Sequence, residues 1–105
     1  YAFIKALDET YDLYKNGTAI MYRWALDKSG RPAIDVPFHE GAVRYLREIG
    51  VWTDADEAWN VKRTARMDAL VDAWTEFLGA NSGLAEEDFS KAWMARRAEV
   101  IAALD

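Results

Sequence analysis

Pro37-Phe38-His39-Glu40-Gly41-Ala42-Val43-Arg44-Tyr45-Leu46-Arg47-Glu48-Ile49-Gly50-Val51-Trp52 decides how the rest of the chain is read. Pro37 biases Val36 away from the helical region, so the chain enters this stretch extended. From Glu40 to Ile49 the apolar residues Ala42, Tyr45, Leu46 and Ile49 recur at helical spacing. Gly50 ends that helix, and Val51-Trp52 turns back onto the core. His39, the only histidine of the chain, stands at the mouth of the helix.

Upstream, Phe3, Leu7, Tyr11 and Tyr14 mark one face of a helix from Ala2 to about Asn16. Gly17 is placed to stop it in the left-handed conformation. Thr18 then caps a second helix, Ala19 to Lys28, with Met21, Trp24 and Ala25 as its stripe. Ser29-Gly30-Arg31-Pro32 breaks it, and Ala33 to Phe38 is expected to be extended.

Downstream, Thr53-Asp54-Ala55-Asp56 opens a fourth helix with a cap and acids at the positive end of its dipole. Trp59, Met67, Leu70, Val71, Trp74, Phe77 and Leu78 line it as far as Leu78. Gly79-Ala80-Asn81-Ser82-Gly83 forms a turn. A fifth helix, about Ala85 to Leu104, carries Phe89, Ala92, Trp93, Val100 and Leu104, with Arg96 and Arg97 at the edge of its face. The expectation is a mostly α chain of about five amphipathic helices ending in a helical hairpin. The best internal boundary falls between residues 52 and 53, giving segments 1–52 and 53–105.

The 105 residues suffice for one domain or part of one, with a modest core. Half the chain is hydrophobic (51%), which excludes disorder as a class. A net charge of −5 offers no footprint for nucleic acid or for an anionic membrane surface. The absence of cysteine excludes thiol nucleophiles, disulfides and Cys-ligated zinc. No apolar run nears the roughly 18 residues of a membrane span. The chain opens on Tyr1 rather than Met and enters a helical pattern at once, so it reads as an excised piece of a longer protein.

His39 lacks what catalysis needs. A His-Glu-x-x-His zinc site requires a second histidine. Ser29, Ser82 and Ser90 lie in no nucleophile-elbow context. A structural role at a helix start, where backbone N–H groups need acceptors, suits it better. A third reading has the N-terminus beside Gly41 offering N–H groups to an anion, although Glu40 opposes it. Glu48 sits near the helix end, where a carboxylate is unfavourable, and Arg44 one turn earlier is its expected partner. The five tryptophans, Trp24, Trp52, Trp59, Trp74 and Trp93, are read as packing anchors in preference to a sugar-stacking platform. Lys62, Arg63 and Arg66 read as a solvated face.

The Pro-x-His-x-Gly-Ala core, followed by a tyrosine-bearing helix and Glu-x-Gly, resembles a signature of the TAXI solute-binding proteins, which serve TRAP transporters. The matching residues are Pro37, His39, Gly41, Ala42, Tyr45, Glu48 and Gly50. Residues 92–97 are similar to the tail of a longer subgroup. The resemblance implies the C-terminal part of a two-lobe α/β receptor of the class II periplasmic-binding architecture. Such a receptor is periplasmic, is not an enzyme and needs no cofactor or metal. It captures a small organic anion, a dicarboxylate or an amino acid, for membrane subunits driven by an ion gradient. The main cleft residues would lie upstream of Tyr1. His39, Gly41 and Tyr45 are candidates for the cleft edge, and Pro37, His39, Gly41, Ala42, Glu48 and Gly50 for structural positions. The alternative is an independent helical interaction module built on the 53–105 hairpin. Helices before Trp52, without a sheet to cover them, are expected to expose apolar surface and invite self-association.

Overall fold

The computed structural model describes residues 1–29 and 36–104. Among these the chain is mostly helical and contains no strand. The elements are α1 (Ala2–Glu9), α2 (Tyr11–Tyr14), a 3₁₀ turn (Met21–Trp24), α3 (Glu40–Glu48), α4 (Asp54–Asn81) and α5 (Glu86–Ala102). Packing groups them into two compact units, Tyr1–Val61 and Lys62–Asp105. The start of α4 follows directly on the break at residues 52 and 53, and its first turns belong to the first unit.

Five α-helices match the expected number, but they are not the same five. The first expected helix is split at Thr10, whose backbone leaves helical geometry at φ −105° and ψ 10°. Its hydroxyl donates to the Ala6 carbonyl at 2.7 Å, the back-bonding by which threonine disturbs a helix. Gly17 has no positive φ, so the left-handed stop expected there is absent. The second expected helix contracts to the 3₁₀ turn. The Thr18 hydroxyl accepts from the Ile20 amide, a local turn that displaces a helix cap. Successive i to i+3 bonds follow, and Ala25 exits at ψ 143°. The extended stretch expected from Ala33 lies mostly outside the described residues.

The third helix, read from Glu40 to Ile49, runs from Glu40 to Glu48, with Ile49 as its C-cap. In the fourth, the helix runs through Gly79 to Asn81, so the turn begins three residues later than expected. Thr53 and Asp56 close the predicted cap. The Asp56 amide donates to the Thr53 hydroxyl at 3.1 Å, and the Thr53 amide returns a bond to Asp56 at 2.9 Å.

The buried apolar set is small: Val43, Tyr45 and Leu46 in the first unit, Ala73 and Phe77 in the second. Phe3, expected to face inward, is 70% exposed, because Ile4, Leu7 and Asp8 take the inner side of α1. Ile49 is 37% exposed, and Val43, absent from the expected stripe, is buried.

Candidate functional site

The signature segment is held from both ends by identifiable caps. His39 is the N-cap of α3, at φ −62° and ψ 144°. Its Nδ1 accepts from the Gly41 amide at 3.0 Å, satisfying one of the free N–H groups of the first turn. Gly41 admits the backbone of Tyr1, because a Cβ there would collide with the Tyr1 nitrogen. At the other end Gly50 adopts φ 74°. The Val51 amide reaches the Leu46 carbonyl at 3.0 Å and the Gly50 amide the Arg47 carbonyl at 3.0 Å. These two bonds form a Schellman cap.

Between the caps, α3 presents a polar seam to α1. Tyr45, 2% exposed, donates its hydroxyl to Asp8 Oδ2 at 2.6 Å. Tyr1 donates to Glu48 Oε2, and Lys5 Nζ donates to Glu48 Oε1 at 3.1 Å. Arg44, expected to pair with Glu48, lies instead over the Tyr1 ring at 4.3 Å from its centroid. Tyr1 and Tyr45 meet edge to face at 6.1 Å. The shifts follow from these contacts. Glu48 is held below the usual carboxylate range, first by the Tyr1 hydroxyl and then by Lys5. Lys5 is raised, first by Glu48. Tyr45 is pushed up to about 12 by its bond to Asp8 and by burial. Tyr1, Lys5 and Asp8 were not singled out from the sequence; a lysine and an acid at i, i+3 on an apolar helix were the available signal.

A second joint fastens α3 to the start of α4. Glu57 Oε2 accepts from Trp52 Nε1 at 2.7 Å and from Arg47 at 2.5 Å. These two donors, Trp52 first, lower its pKa. Asn60 Oδ1 accepts from the Phe38 amide at 2.6 Å, so an asparagine side chain holds the extended entry to α3. Phe38 and Trp52 pack edge to face at 5.4 Å.

A cavity of about 110 Å³ lies beside this frame, lined chiefly by Ile4, Leu7, Trp24, Phe38, Ala42 and Leu46, with Asp8 and Ser29 as its polar groups. Of the signature positions only Ala42 faces it. His39, Gly41 and Tyr45 do not line it. Among the described residues no cluster of three or more His, Asp and Glu side chains could hold a metal ion. No described helix is long and apolar enough to cross a membrane.

In the second unit Trp74, Phe77, Phe89 and Trp93 interlock. Trp74 and Trp93 stand 4.6 Å apart, and Phe77 and Phe89 5.1 Å apart. These two tryptophans are packing anchors, as expected. Arg96 pairs with Glu99 at 3.4 Å and with Glu76 at 4.0 Å along a groove on the hairpin. Arg63 and Arg66 are half-buried rather than a fully solvated face.

The chain matches no family model, no curated protein and no solved structure.

Proposed function

We propose that this chain is the C-terminal part of a TAXI-type solute-binding receptor, a non-catalytic periplasmic protein that delivers a small organic anion to TRAP membrane subunits. The signature of Pro37 to Trp52 carries this reading. Its unusual residues have demanding structural jobs, which supports treating the segment as a defined motif. His39 caps a helix, Gly41 admits a neighbouring backbone, and Gly50 takes a positive φ. Glu48 and Tyr45 are engaged by α1, so the motif serves as a clasp and leaves solute capture to a cleft built by other residues. The anion is a dicarboxylate or an amino acid such as glutamate, and no cofactor takes part.

The reading frame upstream of Tyr1 tests this. A signal peptide and about two hundred residues of alternating strands and helices support it. A start codon close to Tyr1 would sink it. Calorimetry of the full-length protein with glutamate and dicarboxylates then tests the solute class.

A second reading, an independent helical interaction module, draws on Val71 and Met94, exposed by 56% and 57% on the hairpin of α4 and α5. A start codon near Tyr1 together with a folded, solute-blind chain would favour it.

A further inference from the structure

The cavity beside α1 and α3 belongs wholly to the first unit and is partly open to solvent. Its walls are aliphatic and aromatic, with Ile4 and Leu7 from α1, Trp24 from the 3₁₀ turn, Phe38, and Leu46 from α3. Into this lining Asp8 brings a carboxylate and Ser29 a hydroxyl. At about 110 Å³ the cavity is somewhat smaller than the roughly 150 Å³ apolar cavity that takes up benzene. A branched butyl group suits that size, and a fused ring system does not.

Asp8 is half-buried, and its Oδ2 accepts the Tyr45 hydroxyl at 2.6 Å. That bond orients the carboxylate and leaves Oδ1 without a hydrogen-bond partner among the described residues. Among those residues no cation pairs with Asp8 either. Lys5, one turn earlier on α1, is held by Glu48 at 3.1 Å, and Arg44 lies over the Tyr1 ring. The carboxylate therefore keeps both its charge and an acceptor oxygen for a donor from outside the chain. A ligand that matches this cavity has an apolar body for the walls and a positive charge for Asp8.

We propose that this cavity is a binding site for a small aliphatic ammonium ion, whose alkyl group fills the apolar lining and whose N–H groups donate to Asp8. An N⁺–H to carboxylate bond is about twice as strong as a neutral one, so the charge sets the preference for an amine over an alcohol of the same shape. The rings of Trp24 and Phe38 add to that preference, since aromatic faces attract cations. Tyr45, packed between α1 and α3, holds the carboxylate in place before the ligand arrives, which lowers the ordering cost of binding. Such a site is separate from any cleft for an organic anion, because Asp8 would repel a carboxylate.

Heteronuclear NMR titration of the 105-residue chain with isobutylammonium, isobutanol and isobutyrate tests this, at about pH 7 where alkylamines are protonated. The probes share a shape and differ in charge. Isobutylammonium should bind saturably with a Kd of about 5 mM or tighter, shifting the amides of Ile4, Leu7, Ala42 and Leu46. Isobutanol should bind at least about tenfold more weakly, and isobutyrate not at all. Asp8→Asn keeps an oxygen for Tyr45 and removes the charge, so it should bring isobutylammonium down to the alcohol's affinity. Failure of isobutylammonium to saturate by about 50 mM overturns the proposal. So does isobutanol or isobutyrate binding as tightly, an ammonium preference that survives Asp8→Asn, or shifts centred on the second unit. The three probes on the parent chain decide the matter even if Asp8→Asn fails to fold.

Discussion

At Gly41 a single methyl group is already too much. Gly41→Ala is expected to lower stability by about 1–3 kcal/mol, since the new carbon meets backbone rather than a side chain that can swing away. Gly50→Ala is a cleaner probe of backbone strain. Nothing lies within 4 Å of its would-be Cβ, so its cost of about 1–2 kcal/mol arises from the positive φ alone. His39→Ala removes the cap and should cost about 1 kcal/mol, whereas His39→Asn should retain most of the stability because asparagine also caps well. Urea unfolding of the four variants beside the parent chain measures each cost. An alanine at 39 that leaves the midpoint unmoved would refute the capping role. Tyr45 offers a spectroscopic check of the same clasp. Its folded pKa is raised, so its contribution is present below the ordinary tyrosine value of 10.0 and is lost as pH climbs towards about 12. Ultraviolet titration should therefore find late-ionising phenols, since burial raises Tyr14 as well, and Tyr45→Phe should remove the latest step, at about 12.

At the level of elements, α3 was legible and the segment before it was not. The cap, the apolar spacing and the terminal glycine of α3 all act within about ten residues, which is the range over which local rules hold. The start of α4 was legible for the same reason. Residues 11–28 misled because Thr10 and Thr18 satisfy nearby backbone groups and end helices that the apolar pattern would extend. Of the clasp, only the α3 half could be read. Glu48 was marked as needing a partner, but Tyr1 and Lys5 lie more than 40 positions away, and no spacing rule reaches that far. The hairpin stripes were half right, because periodicity reports apolar character without saying which seam a helix will bury. Trp74→Ala is expected to destabilise the second unit by about 2–4 kcal/mol, as it removes the ring that contacts Phe77, Phe89 and Trp93 together. Thermal melts followed at 222 nm would show it. A loss below about 0.5 kcal/mol would mean that the ring cluster is incidental.

For the whole molecule, pH should bound stability from both sides. Glu48 and Glu57 have lowered pKa values, so their contributions are present above the ordinary carboxylate value and fade as pH falls through their folded values. Lys5 is raised, so its contribution is present below 10.5 and fades only at higher pH. A plateau between about pH 5 and about pH 10, with losses beyond each end, is the expected urea-midpoint profile. A profile that keeps rising below pH 4 would contradict these assignments. The same chain should bind neither glutamate nor dicarboxylates tightly, because the signature residues are committed to the clasp. Submicromolar heat signals in calorimetry would show that a solute site is present within residues 1–105.

The burial of Tyr45 also makes the chain a record of its own chemistry. Aqueous nitrating reagents attack a phenol ring only where they can reach it, and Tyr22 is 48% exposed while Tyr45 is 2% exposed. Brief treatment followed by peptide mass mapping should therefore mark Tyr22 early and leave Tyr45 unmodified. Label arriving at Tyr45 would time the parting of α1 from α3, an event that helical circular dichroism does not register when both helices persist.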